Sequence, residues 1–133
     1  MGAWGMGSFD NDGAFDWLFE LADGGLGAVR AAFAAVDTSA YLEVDEGQHV
    51  IAAAEVLAAL RGAPLDALPE DLTGWLSENP GLDPAPLIPG ALKALERIQG
   101  AESELNELWE EGSNYAIWKA QVADLIRRLS ESV

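Results

Sequence analysis

Asp45-Glu-Gly-Gln-His-Val-Ile-Ala-Ala-Ala-Glu-Val-Leu-Ala-Ala-Leu60 is the stretch on which the fold turns. From Val50 to Leu60 every position except Glu55 is apolar. A helix with no face left for water belongs at the centre of a helical protein. Its start reads as a capping box in which Asp45 caps and Gln48 reaches back, and Gly62 supplies the stop.

Toward the amino end, Leu26, Val29, Ala32, Phe33 and Val36 recur at helical spacing and predict a helix ending near Asp37-Thr-Ser39. Asp23-Gly-Gly25 separates it from a helix near 11–22, whose stripe is Ala14, Trp17, Leu18 and Leu21. Asp10-Asn-Asp-Gly13 offers cap side chains for that first helix. Residues 1–10 form a Gly-rich segment in which the glycines let the backbone fold tightly around Trp4, and Phe9 packs as a staple. It is no phosphate loop, because the lysine of that motif is absent and the glycine spacing is wrong. Ala40-Tyr-Leu-Glu-Val44 is the single faint strand candidate.

Toward the carboxyl end, Pro69-Glu-Asp71 opens a helix striped with Leu72, Trp75 and Leu76, and Asn79-Pro-Gly81 closes it. Residues 80–90, with Pro84, Pro86 and Pro89, read as a stiff linker to a helix over Ala91–Gln99. Glu102–Glu111 is helical and acidic. The last helix carries Trp118, Val122, Leu125, Ile126 and Leu129 and reads as the clearest amphipathic helix of the chain. The expected architecture is all-α: one compact domain, residues 1–133, of six or seven short helices, with no internal repeat.

Composition agrees with one folded domain. The chain has 133 residues, half of them hydrophobic, with five Trp, which separates it from disordered acidic chains. No cysteine and a single histidine, His49, exclude disulfides, thiolate chemistry and metal motifs that need two imidazoles. There is no Ser-His-Asp anchor either. Neither a basic leader nor a bilayer-length apolar run is present, so a cytoplasmic protein is expected.

The formal charge is −16, and it is uneven. Residues 1–92 hold 15 acids and two bases, a net of −13. Such a field repels nucleic acid and anionic membranes, which are bound through Lys and Arg. It attracts a basic protein partner. The Trp118–Leu129 face closes a core or a homodimer equally well, so oligomeric state stays open.

Six residues stand out as weak candidates for a metal or polar-ligand site: Asp12, Asp16, Glu43, Glu46, His49 and Glu55. Asp12 and Asp16 lie where caps are expected and miss calcium-loop spacing, since Gly13 falls too early. Glu43 and Glu46 sit at a helix N-terminus, where the macrodipole favours acids, and His49 shares a face with Glu46. Glu55 is the oddest, an acid on an apolar helix. Burial would raise its pKa and suit it to general-base work, unless an arginine such as Arg30 or Arg61 pairs with it. No cofactor motif is found.

Three blocks resemble a known family: Met1–Trp17 with its Trp between glycines and Phe9-Asp-Asn-Asp12, Tyr41–Gly47 with Ala52-Ala-Ala-Glu-Val56, and Glu102–Trp109. The chain resembles the bacterial domain of unknown function 4259 over most of its length. That resemblance implies a small bacterial protein without assigned activity, cofactor or catalytic residues. His49 lies outside the pattern. Two functions are then expected. The favoured one is a non-enzymatic protein-binding or regulatory module, of immunity-like kind, covering a basic surface. The alternative is a small carboxylate-lined site for a metal or polar ligand, with hydrolytic activity, built from helices one and three.

Overall fold

Val50 through Ala58 are all buried, so the apolar helix does occupy the centre. The computed structural model describes residues 7–130. Seven helices are described: α1 (Asp12–Gly24), α2 (Leu26–Thr38), α3 (Val44–Leu60), α4 (Glu70–Glu78), α5 (Ile88–Ile98), α6 (Glu104–Glu111) and α7 (Tyr115–Ser130). Among the described residues there is no strand, and the fold is a compact all-α domain. None of the described helices is long and apolar enough to cross a membrane. The expected packing around Trp4 lies outside the described residues, whereas Phe9 is buried in the core.

Helix α3 packs against α1, α2, α5, α6 and α7, which is why it has no solvent stripe. Its cap differs from the expected one. Glu43, not Asp45, is the N-cap, and the Glu46 carboxylate reaches back to accept the Glu43 N–H at 2.9 Å. Gln48 is instead buried. The other end is a Schellman turn, with Ala63 N–H donating to Ala58 C=O and Gly62 N–H to Ala59 C=O, and Gly62 at φ +92°.

Helix α1 starts where Asn11 Oδ1 accepts the Ala14 N–H at 2.7 Å, and it buries Ala14, Trp17, Leu18 and Leu21 as its spacing predicts. Gly25, at φ +58°, turns the chain into α2. The proline-rich stretch is less of a linker than expected. A short 3-10 turn covers Ala85–Leu87 and α5 begins at Ile88, because Pro89 falls in its first turn, where no N–H is missed. Apolar and polar residues segregate most sharply on α5 rather than on α7.

The faint strand candidate resolves to one isolated parallel bridge, Leu42 with Ser103. Leu42 N–H donates to Glu102 C=O at 2.8 Å and Glu104 N–H to Leu42 C=O at 2.9 Å. The segment before α3 is thereby fastened to the start of α6. Gly47 lets α6 settle on α3, since a Cβ there would lie 2.9 Å from Leu105 Cδ2.

Candidate functional site

The charged group at the centre of the molecule comes first. Glu55 is 1% exposed, and both its oxygens are engaged. Arg128 on α7 donates to Oε1 at 2.9 Å and to Oε2 at 3.1 Å, and the Ser8 hydroxyl donates to Oε2 at 2.7 Å. Arg128 also donates to Ala63 C=O and to Asp124 Oδ2. Burial pulls the Arg128 pKa down, but hydrogen bonding and charge from Glu55, followed by those from Asp124, outweigh it and hold it above the ordinary arginine value. Hydrogen bonds from Arg127 and then Arg128 lower the Asp124 pKa. The partner of Glu55 is thus neither Arg30, which is exposed, nor Arg61, which donates to the Leu129 carbonyl. A carboxylate held on both oxygens by a guanidinium and a hydroxyl ties α3 to α7 and to the segment before α1.

The other candidate acids are placed apart from it in role. Asp12 and Asp16 are exposed on α1. Glu43 is exposed at the α3 cap, and Glu46 is occupied by the Glu43 N–H and the Ser39 hydroxyl. His49 is half-buried one turn further along. Among the described residues, no group of three or more His, Asp or Glu side chains is placed to hold a metal ion.

A cavity of about 160 Å³ lies beside Gln48, Leu105 and Trp109. The Gln48 Oε1 is buried without a hydrogen-bond partner among the described residues, and it lies where a Cβ on Gly13 would meet it at 2.2 Å. Trp109, which lines the cavity, stacks on Trp118 at 6.2 Å between centroids. The amide is therefore packed toward the first turn of α1, and the cavity wall beside it is mainly aliphatic and aromatic.

The third feature is on the surface. An open groove of about 410 Å³ runs between α1 and α4. Leu18, Phe19 and Ala22 contribute from α1, and Gly74 and Trp75 from α4. Phe19 is 74% exposed, by far the most exposed of the large hydrophobic side chains among the described residues. Its place follows from the helix period, because Phe19 lies off the buried stripe that α1 presents to α3. Glu70, Asp71 and Glu78 rim the α4 side. On α1, Asp12, Asp16, Glu20 and Asp23 are all exposed. Neither helix carries a base.

This groove was not foreseen from the sequence, although two signals for it are present. Phe19 falls outside the α1 stripe, and Gly74 interrupts α4 without ending it.

A family model described as a domain of unknown function (DUF4259) matches residues 2–121 of the chain. The match takes in α1 through α6 and the start of α7, including Glu55, and ends before Arg128. No curated protein and no solved structure matches the chain.

Proposed function

The chain belongs to the domain of unknown function 4259 family, and we propose that it works there as a non-enzymatic protein-binding module, an immunity-like regulator that covers a basic surface with the face formed by α1 and α4. The observation that carries this reading is Phe19, a large aromatic side chain 74% exposed beside a groove whose two helices bear only acids. An exposed aromatic gains most by being covered, and interface anchors are enriched in such side chains. The surrounding carboxylates steer a cationic partner and set its orientation. They repel nucleic acid and anionic lipid by the same field.

The test compares the purified wild-type chain with a Glu70→Lys/Glu78→Lys variant as bait in cell extract at low and at high ionic strength. Basic proteins retained by the wild type at low salt, released at high salt and lost from the variant support the reading, because screening weakens contacts between exposed charges. The same retained proteins on both baits, unaffected by salt, overturn it.

A further inference from the structure

Gly74 stands in the interior of α4, where glycine disfavours a helix by about 1 kcal/mol relative to alanine. Nothing among the described residues accounts for it. Its φ is not positive, and a Cβ built on it would meet no atom of the described residues within 4 Å. Glycine that is needed neither for a turn nor for internal packing leaves room for the close approach of another backbone. Gly74 is exposed and lines the α1–α4 groove beside Trp75, opposite Phe19.

We infer that the occupant of this groove is a cationic amphipathic α-helix of the partner protein, laid between α1 and α4 with its apolar side on Phe19 and on the 9% of Trp75 left exposed at the groove floor, and with its backbone close to Gly74. The inference rests on the binding reading above and specifies its partner. Helix-in-groove recognition uses apolar anchors at i, i+3 or i+4, and the nine residues of α4 extend for roughly 13 Å, enough for two to three turns. The acidic rim fixes the remaining chemistry. Lys and Arg flanking the anchors would face Glu70, Asp71 and Glu78, which line the groove, within the field of the exposed acids Glu20 and Asp23 of α1. An extended peptide has nothing to pair with here, since no strand exists among the described residues and the Leu42–Ser103 bridge joins the segments that precede α3 and α6.

The experiment titrates the full chain into three labelled synthetic peptides and follows fluorescence anisotropy. One is a Leu/Lys peptide whose leucines fall on a single helix face, one is a scramble of the same composition, and one is polylysine. The segregated peptide should bind about tenfold or more tighter than either control, a difference of the size that a few buried anchors supply. Phe19→Ala and Gly74→Leu should each reduce that affinity by about tenfold, with Gly74→Leu raising the thermal midpoint, so that loss of binding is separated from loss of fold. Equal binding of all three peptides overturns the helical occupant and leaves the basic-partner reading standing. Failure of all three to bind overturns both. Tight binding of the segregated peptide that Gly74→Leu leaves unchanged places it elsewhere and overturns the inference.

Discussion

Arg128 on α7 donates to both carboxylate oxygens of Glu55 on α3, at 2.9 and 3.1 Å, and so joins the last helix of the chain to the central one. The pair is buried, with side-chain exposures of 9% and 1%. Removing one partner strands the other charge in a medium that solvates it poorly. Arg128→Met and Glu55→Met should therefore each lose about 3–5 kcal/mol of stability in urea denaturation. The double substitution should lose far less than the sum, because an apolar pair of similar volume leaves no orphan charge. Single variants within about 1 kcal/mol of wild type would show that the pair is solvated rather than buried.

Gly47 sets two effects of opposite sign against each other. Alanine is the better helix former by about 1 kcal/mol, so propensity alone predicts stabilisation of α3. Packing predicts the reverse. A Cβ at Gly47 would lie 2.9 Å from Leu105 Cδ2 and 3.1 Å from Leu105 Cβ, and Leu105 is 4% exposed on a helix fixed by the Leu42–Ser103 bridge. Overpacking of this kind costs about 1–3 kcal/mol, so Gly47→Ala should be destabilising by about 1 kcal/mol net. Chemical denaturation gives the sign directly. A stabilised variant contradicts the close approach of α6 to α3.

The architecture was legible where one helix faces one environment. Continuous apolarity placed α3 at the centre, and the buried residues of α1 follow the expected stripe. Legibility failed where a residue answers to another element. Arg128 sits three residues after Leu125, on the buried side of α7, but a charge in an amphipathic pattern reads as solvent-facing until its partner is known. Glu55 is conspicuous in the sequence and its partner is not, for that reason. Gln48 was expected to complete a cap, yet its side chain packs toward Gly13, and Glu46 does the capping. The α1–α4 groove is a tertiary product. Phe19 and Gly74 each break a local rule, and only their meeting across two helices turns the two exceptions into a surface.

Tyr41 offers a pH-dependent check on the other end of the α3–α6 junction. Its hydroxyl donates to Glu107 Oε2 at 2.7 Å. That hydrogen bond, then desolvation, then the charges of Glu107, Glu104 and Glu102 push its pKa from 10.0 up to about 12. The folded state therefore favours the neutral phenol. Any stability this supplies is fully present below the unfolded value of 10.0 and is lost as pH rises through about 12. Phenolate absorbance in a Tyr115→Phe background, which leaves Tyr41 as the sole tyrosine, should show titration near 12. Glu107→Gln removes both the charged acceptor and the strongest repulsion of the phenolate, so the same titration should move back toward 10.0. A midpoint near 10.0 in both proteins would mean that Tyr41 does not hold Glu107 in solution.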